Sequence, residues 1–452
     1  MLAPGLRYAL EALLAAAGEA PDPQTLKQRL EALVGQHFPP DLATRALALA
    51  YRYVDYRVAL GLNGPGDLPA APPVTPGPPP AAPAGHDTSE ARPRGRSVVL
   101  VMLDGVRQQE WNGRALDDQG RPVRTSELLP TFMQLRKSGV FFPRLSISNP
   151  AGVSLPAYAD IFAGRRQERI TSNYPPADDF RSHYPTLLQV IKRDLGLPFD
   201  GVALHSSWSK LCPIAAMPPL DPSEDFYRSC AFANNANPSP GYFKPEIYGG
   251  SRSDIDTFLE LAQELPRRHP RLIVVHLGDA DEEGHLHQKI QSRVGLHYGI
   301  FHYHQAIRQY DYLIGRLWAL LQSDPFYKDN TYMVVTTDHG RDTAVDPQQW
   351  ATHGKCIADK LRTQPCSGCS GVFALAVGPG LSARTARGSY SHADLAPTLA
   401  RLLGASMPSA TGRLMREITD AAAMAPPPPA LPRATASAAP LPPLPGTART
   451  VR

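Results

Sequence analysis

The sequence predicts an α/β domain with a mainly parallel central sheet and helices on both faces, preceded by a small helical domain. Short apolar runs rich in β-branched residues alternate with longer amphipathic stretches through the middle of the chain. That alternation is typical of strands joined by crossover helices. The apolar runs are nearly continuous, as expected for parallel strands that are covered on both faces.

The predicted elements follow one another from residue 97. The strands are "SVVLVML" (97–103), "VFFPRLSI" (140–147), "DGVALHS" (200–206), "LIVVHLG" (272–278), "TYMVVTT" (331–337) and "GVFALAV" (371–377). The helices are "LPTFMQLRKSG" (129–139), "PTLLQVIKRDLG" (185–196), "FHYHQAIRQYDYLIGRLWALLQ" (301–322) and "ADLAPTLARLLG" (393–404). Ligands bind beyond the carboxyl ends of the strands in such sheets, so the residues after each strand are the first candidates for a site.

The regions that flank this unit differ in composition. Residues 1–62 carry leucines at helical spacing, which predicts a small helical domain that could mediate self-association. Residues 63–96 are rich in proline and predict an extended linker. We assign 97–420 to the catalytic domain and 421–452 to a Pro/Ala-rich disordered tail.

Composition excludes several classes of partner. The formal charge of +4 is small for 452 residues and argues against a nucleic-acid duplex. No apolar stretch reaches the roughly 18 residues of a membrane span. No signal peptide is recognisable, so a cytoplasmic location is expected, or a periplasmic or secreted one if the start is misassigned. The cysteines leave disulfides, free thiols and a metal clip open: Cys212, Cys230, Cys356, Cys366 and Cys369.

Side chains that ligate metals follow the predicted strands. Three carboxylates, three imidazoles and one hydroxyl are expected at one edge of the sheet: Asp104, Ser154, Asp281, His285, Asp338, His339 and His353. Imidazole and carboxylate ligands suit divalent transition metals, zinc above all. Seven groups are too many for one tetrahedral ion but suffice for two neighbouring ions.

A two-metal cluster would suit the transfer of an anionic group. One ion would lower the pKa of the Ser154 hydroxyl, because an unassisted serine is a weak nucleophile. Two divalent ions, three Asp carboxylates and one alkoxide sum to +4 − 3 − 1 = 0. Such a neutral cluster would not repel an anionic substrate.

The motifs "LDG", "SLP", "DEEGH", "DHG" and a later "HG", in that order, resemble the signature of the alkaline phosphatase superfamily. This group includes phosphatases, nucleotide pyrophosphatases/phosphodiesterases, phosphomutases and arylsulfatases. The resemblance covers roughly residues 97–405. It implies that one ion is held by Asp104, Ser154, Asp338 and His339, and that a second ion is held by Asp281, His285 and His353. Zinc is the favoured metal, with manganese as the alternative.

The resemblance implies hydrolysis of a small-molecule, lipid or nucleotide phosphate ester through a phosphoseryl intermediate on Ser154. A phosphodiesterase or phosphomutase on the same site is the alternative, and a non-catalytic scaffold on this fold is a weaker one. Sulfatases of the group carry C/S-x-P-x-R, whereas Tyr158 stands here at the arginine position. That departure disfavours a sulfatase.

The ligand set and the substrate contacts keep alternatives. His353 precedes the strand "VFALAVGPG", as the last ligand does in the relatives, whereas His392 stands before a helix. We therefore favour His353. Asn149 and Tyr158 lie near the nucleophile in sequence and are candidates for contacting substrate oxygens. His276 is expected to be a packing or surface histidine.

Overall fold

A computed structural model of the chain describes residues 95–176, 181–218, 222–230, 252–285, 300–341, 351, 353–354 and 367–425. Of the predicted N-terminal domain, only positions 25, 28, 29, 31 and 32 are described, and they are helical. The rest of that domain, nearly all of the linker and the tail beyond 425 lie outside the described residues. Their organisation remains a prediction.

The centre of the protein is a nine-stranded sheet. The strands of the chain are β1 (Ser97–Leu103), β2 (Ala115–Leu116), β3 (Pro122–Val123), β4 (Val140–Ser146), β5 (Val202–Ser206), β6 (Tyr227–Cys230), β7 (Leu272–Leu277), β8 (Thr331–Thr337), β9 (Gly371–Val377), β10 (Arg384–Thr385) and β11 (Tyr390–Ser391). The sheet order is β10-β4-β9-β8-β1-β7-β5-β6, with β11 also paired to β4. β2 and β3 form a separate antiparallel pair.

Most neighbouring strands are parallel, which confirms the predicted fold class. β1 lies at the centre, parallel to both β7 and β8. β9 departs from this direction and is antiparallel to β8 and to β4. In register, Leu103 pairs with Leu277 on one side and with Thr337 on the other. The three central strands therefore end level, and the residues that follow them converge.

Helices cover both faces of the sheet. They are α1 (Gln108–Asn112), α2 (Thr125–Leu128), α3 (Pro130–Leu135), α4 (Ser154–Ala163), α5 (Leu187–Asp194), α6 (Leu211–Ile214), α7 (Asp254–Arg268), α8 (Phe301–Ser323), α9 (Ser367–Ser370), α10 (Leu395–Leu403) and α11 (Arg416–Met424). Residues 279–285 are also helical, and short 3-10 turns occupy Phe199–Gly201, Pro222–Glu224 and His392–Asp394. Among the described residues, no helix combines the length and the apolarity that crossing a membrane requires.

Successive residues of β1 belong to two different hydrophobic cores. Val98, Leu100 and Met102 pack with α4, α5 and α10, whereas Val99 and Val101 pack with α3 and α8. This alternation is the consequence of the two-residue period of a strand. It explains why β1 is apolar at every position from Val98 to Leu103.

Some features of the structure were not predicted from the sequence or were left open by it. Helix α7 and edge strand β6 lie where no element is predicted. A disulfide joins Cys212 on α6 to Cys230 on β6. Cys369 is also disulfide-bonded. Helix α11 continues to Met424, four residues beyond the predicted domain boundary.

Candidate metal centre

Two carboxylates meet where the central strands end. Asp104 directly follows β1, and Asp338 directly follows β8. The Asp338 amide donates to the Leu103 carbonyl at 3.3 Å. Its Oδ1 accepts from the Gly105 amide at 3.0 Å. Both carboxylates are buried, so the level ends of β1 and β8 hold them side by side.

The predicted nucleophile opens helix α4 and faces these carboxylates. Ser154 Oγ lies 3.1 Å from His339 Nε2 and 3.4 Å from Asp104 Oδ1. The next amide of the helix, that of Leu155, donates to Asn173 Oδ1 at 2.8 Å. The first turn of α4 therefore fixes the serine within the carboxylate–imidazole cluster.

The tautomer of His339 follows from its backbone contact. Its Nδ1 lies 2.8 Å from the Gly340 carbonyl oxygen, which can only accept, so Nδ1 carries the proton. Nε2 then faces Asp104 Oδ1, 3.5 Å away, and Asp338 Oδ2, 3.4 Å away, and in a neutral ring it would direct a lone pair between them. Asp338 Oδ2 has no hydrogen-bond partner among the described residues. Lone pairs that converge in this way fit a cation, with the Nδ1–H···O=C bond orienting the ligand.

We call Asp104, Ser154, Asp338 and His339 the inner position. The other three predicted ligands, Asp281, His285 and His353, also lie together and form the outer position. His285 Nε2 is 2.9 Å from Asp281 Oδ2 and 3.1 Å from His353 Nε2. Ligand atoms about 3.3 Å apart are what a tetrahedral ion with bonds of about 2 Å requires. The outer residues therefore also fit a divalent ion.

His339 lies between the two positions. Its ring stacks on that of His353 with centroids 4.2 Å apart, and its Nε2 is 4.0 Å from Asp281 Oδ1. By proximity, candidate ligand atoms group as Asp104 with Asp338 and His339, and as Asp281 with His339 and His353. All seven residues predicted from the motifs are thus brought together. Which ion each of them holds remains a prediction.

The carboxylates differ in the direction of their pKa shifts. Burial, followed by the neighbouring Asp338 and Asp281, raises the pKa of Asp104 well above its usual range. Burial also raises the pKa of Asp338, although His339 opposes the effect. For Asp281 burial is outweighed by the Arg341 guanidinium, then by His285 and His353, so its pKa is well below the usual range. A cation at the inner position would relieve the repulsion there.

Arg341 is a residue of the site whose orientation the sequence left open. It follows "DHG" and is fully buried. Its Nη2 donates to the Asp281 carboxylate and, at 2.8 Å, to the Asp281 carbonyl, while its Nη1 donates to the Ala351 carbonyl. The charge sum for a two-ion cluster therefore becomes +4 − 3 − 1 + 1 = +1 rather than zero. This correction makes the site attractive to an anion.

His276 is also part of the site, contrary to the expectation of a packing or surface histidine. It is fully buried on β7, with Nε2 3.2 Å from Asp104 Oδ2 and Nδ1 3.1 Å from Ser206 Oγ. Burial lowers the pKa of His276 to about 3, so the ring is neutral. Its place two residues before the end of the predicted strand 272–278 was the available signal.

Two tyrosines of helix α8 brace the ligand-bearing loops. The Tyr310 hydroxyl accepts from the Ala280 amide at 2.9 Å and donates to the Asp104 carbonyl at 3.2 Å. Two helical turns earlier, the Tyr303 hydroxyl donates to the Gly105 carbonyl at 2.9 Å and accepts from the Arg107 amide at 2.9 Å. The helix thereby holds the loop after β1 against the segment that carries Asp281.

The two predicted substrate contacts are buried. The Asn149 side chain bonds the Ile170 carbonyl at 3.3 Å and the Ala151 amide at 3.2 Å. The Tyr158 ring packs edge-on against His276 with centroids 5.0 Å apart. Its hydroxyl faces the Asp104 carboxyl without completing a hydrogen bond. Their contact with a substrate stays a prediction.

The structure distinguishes the two histidines considered for the last ligand by their neighbours. His353 lies against His285 and His339, whereas His392 Nε2 bonds the Thr337 carbonyl at 3.0 Å. His392 is in neither of the groups of candidate ligand atoms formed by the described residues. The geometry thus agrees with the preference for His353.

Comparison with known proteins adds a family. The Sulfatase family profile matches residues 96–405, more than two thirds of the chain. No curated protein matches the sequence. A candidate sulfatase from Bacteroides thetaiotaomicron has a structure similar to this one, with 15% identity, coverage of 72% of this chain and 75% of that one, and a TM-score of 0.51. That likeness shows a shared fold and says nothing of substrate.

Two further solved structures are more distant. The phosphonate monoester hydrolase of Agrobacterium radiobacter is 17% identical over 73% of this chain and 77% of its own, with a TM-score of 0.44. The lipoteichoic acid synthase LtaP of Listeria monocytogenes is 14% identical over 73% and 76%, with a TM-score of 0.46. Neither bears on the activity of this chain. From the profile match over the ligand-bearing sheet, the protein belongs to the sulfatase family of the alkaline phosphatase superfamily.

Proposed function

We propose that the protein hydrolyses phosphate esters through a phosphoseryl intermediate on Ser154, with divalent ions held at the inner and outer positions. The observation that carries the proposal is the place of Ser154 Oγ, 3.1 Å from His339 Nε2 and 3.4 Å from Asp104 Oδ1. A hydroxyl among ligating groups, at the start of a helix, is where an activated nucleophile belongs.

Different residues have different roles in the proposed reaction. Asp104, Asp338 and His339 would hold one ion, and Asp281, His285 and His353 the other. When bound, the ions supply a lowered hydroxyl pKa and neutralise developing negative charge. Ser154 Oγ, having lost its proton to solvent, attacks phosphorus and displaces the alcohol, and water then cleaves the Ser154–phosphate ester. The first turn of α4 contributes its partial positive charge to the phosphoryl group.

The choice of phosphate rests on the residue four positions after the nucleophile. Tyr158 occupies the place of the arginine in C/S-x-P-x-R, and it is fully buried against His276. The family profile favours sulfate esters as the second candidate substrate. A phosphodiesterase or phosphomutase would use the same residues, and the non-catalytic scaffold remains the alternative from another class.

The test is the Ser154→Ala variant. We expect it to retain its metal content and lose turnover of p-nitrophenyl phosphate, whereas Ser146→Ala, which changes an exposed serine at the end of β4, should keep activity. Mass spectrometry of the wild-type protein quenched during turnover should find phosphate on Ser154. Full activity in Ser154→Ala would contradict the covalent mechanism. Turnover of p-nitrophenyl sulfate alone would move the protein to sulfate esters.

A further inference from the structure

The buried guanidinium of Arg341 is built into the space beside the outer position. A Cβ added at Gly284 would overlap the guanidinium carbon, and one added at Gly105 would lie 2.7 Å from Asp281 Oδ1 and 3.2 Å from Arg341 Nε. These are the glycines of the "DEEGH" and "LDG" motifs. Both glycines therefore leave room for an arginine that points at the ligand Asp281.

The two positions consequently differ in charge before any ion binds. The inner position contains the carboxylates of Asp104 and Asp338, and within the described part of the chain neither forms an ion pair with Lys or Arg. The outer position contains Asp281, whose charge Arg341 already balances. Its other two ligands are imidazoles. As formal charges with every carboxylate ionised, as metal binding requires, the inner position therefore carries −2 and the outer one about zero.

Arg341 and an ion at the outer position would also contact the same carboxylate, that of Asp281. Arg341 Nη2 occupies Asp281 Oδ1, whereas Asp281 Oδ2 faces His285 Nε2 at 2.9 Å. A divalent ion at Oδ2 would lie on the same carboxylate as the arginine. Like charges at such separations repel, and the burial of Arg341 and Asp281 strengthens the repulsion. His285 is moreover 34% exposed, so the outer position is also the more accessible.

We propose that Arg341 makes the two metal positions unequal, with a tightly held ion at the inner position and a weak, exchangeable one at the outer position. The proposal rests on the proposed two-ion site and deepens it. The dissociation constants are expected to differ at least about tenfold, which corresponds to about 1.4 kcal/mol.

Calorimetric titration of the metal-free protein with Zn²⁺ tests the assignment. The wild type should show two classes of binding. His285→Ala should remove the weak class only, and Asp338→Asn should remove the tight class only. His269→Ala, at a histidine that is 38% exposed and pairs with Asp324, should leave both unchanged. Two equal classes in the wild type, or loss of the tight class in His285→Ala, would overturn the proposal.

Charge and shape at Arg341 are separated by two substitutions. Arg341→Gln removes the charge and keeps an amide donor, so the weak class should tighten at least tenfold. Arg341→Lys keeps the charge, so the weak class should not tighten. Equal weakening in both variants would mean that Arg341 only supports the loops, which contradicts the proposal.

If neither variant folds, the titrations of the His285 and Asp338 variants decide. Absence of any binding in the wild type would overturn the proposed function together with this inference, whereas two equal classes would overturn the inference alone.

Discussion

The brace between helix α8 and the metal-ligand loops can be tested by removing one oxygen atom. Tyr310→Phe deletes a fully buried hydroxyl that makes two hydrogen bonds, one with the Ala280 amide and one with the Asp104 carbonyl. A net contribution of about 1 kcal/mol per bond, with a further penalty for the two buried groups left unpaired, gives about 3 kcal/mol.

Tyr327→Phe is the matched control. Tyr327 is 1% exposed, and among the described residues its hydroxyl makes one hydrogen bond, a donation to the Pro270 carbonyl at 3.0 Å. The same reasoning gives about 1.5 kcal/mol for this variant. Urea unfolding of the metal-free proteins measures both losses. Equal losses, or a larger loss in Tyr327→Phe, would refute the reasoning.

Metal binding separates positioning from simple stabilisation. Because Tyr310 bonds the carbonyl of Asp104 itself, Tyr310→Phe should weaken the tight class of Zn²⁺ binding. Tyr327→Phe should leave that class unchanged. A stability loss with unaltered metal affinity would show that the hydroxyl braces the fold without orienting the ligand.

The remaining predictions concern stability. Burial raises the pKa of Asp160 to about 7, against a usual 3.8. The protonated Asp160 side chain therefore contributes to the free energy of unfolding at low pH. This contribution is lost as the pH rises from the unfolded pKa to the folded pKa of about 7, and the loss is about 4 kcal/mol at about 1.4 kcal/mol per pKa unit. Asp160→Asn should lose less between pH 4 and pH 8 in denaturant unfolding; an unchanged loss would contradict this. Replacing Cys212 and Cys230 by serine opens a link across 18 residues and should cost about 3 kcal/mol; an unchanged urea midpoint would argue otherwise. Gly284→Ala should cost about 1–3 kcal/mol, since its Cβ overlaps Arg341, and no loss would show that the arginine can move.

The central strands were predictable because burial on both faces leaves a continuous apolar run. β1 and β8 have the bounds that the sequence predicts, and every residue in them is buried. Edge strand β6 lacks this signal, because two of its four residues are only partly buried. The antiparallel direction of β9 depends on the path of the chain, which its composition does not encode.

Helix α7 was missed despite a local signal. The Ser253 side chain accepts from the Asp256 amide, and an amphipathic run follows. The proline-rich stretch before it obscured the start of the helix. The sequence therefore contains a local signal for this helix.

Some residues of the site were predictable from the sequence and others were not. The convergence of the candidate metal ligands was predictable because each follows a strand in an ordered motif. Arg341 was not, because nothing local distinguishes a buried arginine from an exposed one, and its partners lie 10 and 60 residues away. Tyr310 lies on the apolar stripe of α8, where a positioning tyrosine has the same spacing as a core residue. Such roles arise from tertiary packing alone.

The most direct test of the proposed metal-dependent hydrolysis of phosphate esters is metal content measured together with turnover, before and after chelation. We predict about two divalent ions per chain, hydrolysis of p-nitrophenyl phosphate or its bis ester, loss of both on chelation, and recovery when Zn²⁺ or Mn²⁺ is restored. Turnover that survives complete metal removal, or that occurs only with p-nitrophenyl sulfate, would contradict the account.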